Sequence, residues 1–182
     1  MRTFISIELP ERVRKEIFKA FDTLRGTGLV SGNFVQRDNL HLTLKFLGDV
    51  TEEEIVKIKS KLSEIKFSKF EMHTDGIGFF PSEQYIRVLW VKLVSDKVKY
   101  LKDIVEEKLF EIGVSKEEKE FTTHLTVARI KNVKDKEKFL EKIQNMNIKK
   151  MIFDVEKISL IKSELTPLGP VYKSLQDFEF SK

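Results

Sequence analysis

The sequence predicts an α+β fold of two lobes with related topology, and three observations carry that reading. Short alternating apolar runs take turns with segments of helical spacing, the order of these segments starts again after Pro81, and one four-residue pattern recurs in both halves, 83 residues apart. The 182 residues suffice to enclose a core, and 33 Lys and Arg against 29 Asp and Glu leave a net charge of +4. That charge tolerates a phosphate-bearing partner without demanding one. The absence of cysteine excludes disulfides, Cys-ligated zinc, iron–sulfur clusters and thiol nucleophiles. No window approaches the roughly 18 consecutive apolar residues of a membrane span, so a cytoplasmic monomer is expected, with no membrane partner.

Alternation over Thr3 to Leu9 reads as a half-buried strand, and Pro10 stands where a helix begins, ahead of Val13, Ile17, Phe18, Phe21 and Leu24 at helical spacing. Gly26 and Gly28 end that helix. A polar stretch through Gly32, Asn33 and Asp38 follows, and His41 to Leu47 reads as a second strand closed by Gly48. Thr51 with Glu54 makes a capping box for a helix carrying Ile55, Ile58, Leu62 and Ile65, and a strand from Lys69 to Phe80 ends at Pro81. The second half repeats this plan. A strand over Tyr85 to Val91 leads to a helix from about Asp96 to Gly113, then to a strand from Thr123 to Ala128. A helix near Asp135 to Ile143 and strands near Ile152 to Lys162 and Val171 to Phe180 complete the chain. One domain over 1–182 is expected, its lobes divided at approximately 1–80 and 85–182.

The recurring pattern is His41-Leu42-Thr43-Leu44 and His124-Leu125-Thr126-Val127, which uses two of the three histidines. Side chains at i and i+2 of a strand share a face, so each strand offers an imidazole beside a hydroxyl. A single His-x-Thr reads as a hydrogen-bonded structural pair. Its recurrence at equivalent places favours chemistry instead. If the halves face each other across a cleft, a phosphate between them is gripped from both sides. One imidazole takes a proton while the other gives one, and the threonine hydroxyls hold non-bridging oxygens. Histidine suits both roles because its unperturbed pKa lies near 6.5. No metal is required: a zinc site wants three or four protein ligands and two histidines on separate strands supply no obvious set, although carboxylates could complete one. No cofactor is implied. His73 lacks the intervening residue before Thr74 and reads as structural or exposed.

These residues resemble the 2H phosphoesterases, and among them the RNA 2′,3′-cyclic phosphodiesterase (2′-5′ RNA ligase) family. The resemblance rests on the opening Arg2 to Pro10 block, His41 to Gly48, Arg87 to Trp90, Thr123 to Arg129 and Ser163 to Tyr172, in order along nearly the whole chain. It implies two pseudo-symmetric lobes, each an antiparallel-rich sheet with flanking helices, around a central cleft. It further implies metal-independent hydrolysis of a 2′,3′-cyclic phosphate on RNA or a nucleotide to a 2′-phosphate, with His124 as base and His41 as acid and possible reversible 2′-5′ joining. Arg129 matches a family position associated with the active site. Counting from His124, however, residues 126 and 128 share its face and 129 does not, so Arg129 reaches the cleft only if the strand twists or ends there. Lys45 has the parity of His41 and Thr43 and could add positive charge. Phe79, Phe80 and Tyr172 are candidates to stack on a base. The alternative class is a non-catalytic RNA- or nucleotide-binding module, which has no need of two imidazoles facing one phosphate.

Overall fold

The computed structural model describes residues 1–146, 148–167 and 169–181. Its first strand, β1 (Arg2–Glu8), is followed by α1 (Glu11–Gly26), which buries Val13, Ile17, Phe21 and Leu24 along one face. Each such side chain contributes about 1.5–3 kcal/mol when fully buried. Next come β2 (Val30–Phe34), a short 3-10 turn (Arg37–Asn39) and β3 (His41–Asp49). Helix α2 (Glu52–Ser63) opens on the expected capping box, with the Thr51 hydroxyl accepting from the Glu54 amide and the Glu54 carboxylate accepting from the Thr51 amide. Then β4 (Phe70–Pro81), β5 (Ile86–Val94), α3 (Val98–Phe110) and β6 (His124–Val133) follow. The chain ends with α4 (Lys136–Asn145), β7 (Ile152–Val155), β8 (Lys157–Thr166) and β9 (Gly169–Glu179).

These strands build two antiparallel sheets, ordered β3-β1-β8-β9 and β2-β6-β5-β4-β7. The orders correspond: β3-β1-β8 in the first sheet matches β6-β5-β4 in the second. The expected division at 1–80 and 85–182 is therefore corrected, because each sheet draws on both halves of the chain. The cause is local. Only residues 82–85 join β4 to β5, and so short a connection between long strands makes them hairpin neighbours, carrying β4 into the second sheet. The free edge of β1 is then filled by β8 from the far end of the chain. The single strand expected over Ile152 to Lys162 is in fact two, since the chain changes sheets at Glu156 between β7 and β8.

Strand β2 stands where the sequence suggests only a polar connection. It is an edge strand with exposed Ser31 and Asn33, so it lacks the apolar alternation that marks a half-buried strand. Gly32 permits it: a Cβ there would lie 2.2 Å from the Arg129 carbonyl oxygen. Helices α2 and α3 pack on each other, α3 lies against β3, and α1 lies against β2. No described helix is long and apolar enough to cross a membrane.

Candidate active site

The two motif strands, β3 from the first sheet and β6 from the second, lie against one another. In each, the motif's Leu is fully buried while its His and Thr are only partly so, which puts the polar pair on the face away from the core. The rings are held alike. His41 Nδ1 lies 2.7 Å from the Asn39 carbonyl oxygen and His124 Nδ1 lies 2.7 Å from the Thr122 carbonyl oxygen. A carbonyl only accepts, so in both neutral rings Nδ1 carries the hydrogen and Nε2 keeps its lone pair. His41 Nε2 is 3.0 Å from Thr43 Oγ1.

The surroundings of the rings differ. Phe4 stacks on His41 at 4.7 Å between centroids, and Tyr172 meets it edge-on at 5.3 Å. Burial in this aromatic setting lowers the His41 pKa, against a smaller opposing effect of the Asn39 hydrogen bond. His124 meets Phe80 edge-on at 5.0 Å and Trp90 at 6.0 Å, while Phe80 and Trp90 stack on each other at 4.9 Å. Phe80, a candidate to stack on a base, thus stands beside His124 with its ring against the indole. Phe79 packs toward Phe139 and the core instead. Burial raises the Tyr172 pKa, and the charges of Arg129 and Arg2 oppose that rise. The Arg129 effect spans the two sheets, since Tyr172 is on β9 and Arg129 on β6.

A bulge resolves the parity problem at Arg129. In the pairing with β5, Thr126 stands opposite Trp90 and Ala128 opposite Leu89, so Val127 is the extra residue. Val127 and Ala128 are both buried, and Arg129 emerges exposed on the face of His124 and Thr126. Strand β3 has the same irregularity: Thr43 pairs with Ser6 and Lys45 with Ile5, which makes Leu44 the extra residue. Here the bulge corrects an expectation. Lys45 turns away from His41 into the interior, where it is 2% exposed and its Nζ lies 2.6 Å from Glu106 Oε2. Simple alternation gave Lys45 the wrong face, and it is removed from the substrate-binding set.

Phe46 takes the place on β3 that Arg129 has on β6, and sequence reasoning missed it. It is 63% exposed beside Phe4, at 6.2 Å between centroids. Asn39 was missed as well. Its side-chain amide donates to the Pro170 carbonyl at 2.8 Å, tying the turn before His41 to the strand that carries Tyr172. Leu168, in the tail that supported the resemblance, lies outside the described residues. Ser6 and Trp90 hold equivalent places beside Thr43 and Thr126, and Ser6 Oγ and Trp90 Nε1 are buried with no hydrogen-bond partner among the described residues. Both pairings needed the register. His73 pairs with Val94 and Ile152, on strands that carry neither motif. Among the described residues no group of three or more His, Asp or Glu side chains is placed to hold a metal ion.

A protein of Methanocaldococcus jannaschii named RNA 2′,3′-cyclic phosphodiesterase is 32% identical over 179 residues, covering 98% of this chain and all of the relative. One of the same name from Archaeoglobus fulgidus is 35% identical over 182 residues, with 98% and 100% covered. A crystal structure from Thermus thermophilus superposes with a TM-score of 0.82 at 28% identity, over 98% of this chain and 97% of that one. The family model described as LigT-like phosphoesterase matches twice, over residues 7–90 and 91–172. Each match contains one of the two bulged His-x-Thr strands, and with both present the chain belongs to the LigT-like phosphoesterases.

Proposed function

We propose that this protein hydrolyses 2′,3′-cyclic phosphate ends of RNA, or the corresponding nucleotides, to 2′-phosphates by metal-independent acid–base catalysis. The observation that carries the reading is the like presentation of two imidazoles. Both donate Nδ1–H to a carbonyl two residues upstream, and both offer Nε2 from adjoining strands of opposite sheets. Two relatives that match over their whole length are named for this activity, which supports the substrate class.

In the proposed step a water oxygen attacks phosphorus and the bond from phosphorus to the 3′ oxygen breaks. His124 Nε2 takes the water's proton, and His41, protonated on Nε2, gives its proton to the departing 3′ oxygen. Thr43, Thr126 and Arg129 hold the phosphoryl oxygens, Arg129 through charge-assisted hydrogen bonds. Tyr172 and Phe80 keep the rings in place. Phe46 offers an open face for a base, a contact worth about 1–3 kcal/mol. Burial disfavours the charged form of free His41, and the anionic phosphodiester restores it on binding, because a negative charge within a few ångströms favours imidazolium. The same step with a 5′-hydroxyl in place of water as the nucleophile joins RNA ends 2′-5′ through the same groups.

The test is product analysis with 2′,3′-cyclic AMP in excess EDTA. The parent is expected to yield 2′-AMP, and His41→Ala and His124→Ala each to lose at least roughly 100-fold in rate while remaining folded. A folded protein that binds the nucleotide without turning it over points to the binding-module alternative. Loss of turnover in EDTA with recovery on adding a divalent ion sinks the metal-independent step.

A further inference from the structure

The buried charges at the Lys45 position are not used by this chemistry, yet they join the two motif strands. Lys45 Nζ, on β3, lies 2.6 Å from Glu106 Oε2 and donates to the Ser115 carbonyl at 2.9 Å. Lys102 Nζ lies 2.5 Å from the other Glu106 oxygen and 2.8 Å from Glu117 Oε2, and it sits 5.4 Å from the Phe121 ring centroid. The side chains of Lys45, Lys102 and Glu106 are 2%, 5% and 10% exposed. Ser115, Glu117 and Phe121 belong to the segment 114–123, which has no helix or strand of its own and runs directly into His124. Its penultimate residue, Thr122, supplies the carbonyl that orients the His124 ring.

We propose that Lys45, Glu106 and Lys102 are positioning residues that fix the approach to His124 against the strand bearing His41. Among the described residues the two sheets share no hydrogen-bonded strand pair, so the relative placement of the rings depends on what crosses between them. This network crosses at the root of both motifs. Burying such charges is costly, and an apolar replacement of similar volume is often neutral or stabilising for a fold, so stability alone does not account for them. Directional bonds to one carbonyl and two carboxylates give the segment a single register that apolar packing leaves less defined.

The proposal rests on the cyclic phosphodiesterase reading for its kinetic arm only. Lys45→Met and the double variant Lys45→Met with Glu106→Gln are compared with the parent on 2′,3′-cyclic AMP, with Lys45→Arg as the conservative control. The expected result is a fall in kcat of roughly 10- to 100-fold with KM within about threefold, since misplacement of about 1 Å costs that order. Lys45→Arg recovers part of kcat. Independently of turnover, the carbon-bound ring protons of His124 shift in the NMR spectrum of the variants. If the parent itself has no activity, the functional reading fails while the ring shifts still test the network. A folded double variant with parental kcat and unmoved His124 signals overturns the proposal.

Discussion

His41, Phe4 and Tyr172 form a cluster of three mutually contacting rings, and that confinement sets how the proton affinity of His41 responds to substrate. In the free protein burial holds its pKa below the usual 6.5, so the protonated acid is lost early as pH rises. A bound phosphodiester pushes the value back up. The alkaline limb of kcat, which reports the complex, is therefore expected at higher pH than the alkaline limb of kcat/KM, which reports the free enzyme. Coincident limbs contradict this. Phe46→Ala is expected to raise KM for cyclic AMP by about tenfold, in keeping with one lost stacking contact, at little change in kcat. An unchanged KM removes Phe46 from the site. The imidazole and hydroxyl pairs were legible in the sequence because strand alternation holds between residues i and i+2. Phe46 and Lys45 were not, since they lie beyond a bulge, and a bulge inverts every later face. In β6 the adjacent apolar residues Val127 and Ala128 hinted at such a break. In β3 the hint is hidden by Lys45, a charged residue that goes inward.

Strands β4 and β5 illustrate how an element supports the site from behind. Gly78 stands opposite Trp90, and a Cβ there would lie 2.2 Å from the indole ring. Gly78→Ala is therefore expected to displace Trp90, disturb Phe80 and His124, and cost about 1–3 kcal/mol in denaturant unfolding, as overpacking typically does. Activity should fall more than the small loss of folded protein explains. A variant with parental stability and rate removes this support role. Gly32→Ala tests β2 in the same way, because its close neighbour is backbone that cannot rotate aside. Strand β2 was hidden from sequence reading by its own exposure. An edge strand with Ser31, Gly32 and Asn33 shows no period-two apolar face, and only its pairing with β6 defines it.

The whole molecule is two sheets woven from both halves of the chain, and this exchange has a consequence for folding. A fragment of residues 1–82 contains β1 without β8 and β4 without β5, and a fragment of residues 83–182 has the converse gaps. Neither fragment is expected to fold alone, while an equimolar mixture regains structure; circular dichroism of each and of the mixture decides it. Independent folding of either fragment contradicts the exchange. The repeat of strand and helix order was readable because amphipathic periods are local. The exchange was not, since it depends on which free edge each long strand fills.

Titration of the protein with inorganic phosphate, followed through the ring signals of both motif histidines by NMR, tests the central claim most directly. One anion shared by the two sheets predicts that the His41 and His124 signals move together with one dissociation constant and a stoichiometry of one. Signals that respond at different concentrations, or a single ring that responds while the other stays still, contradict it.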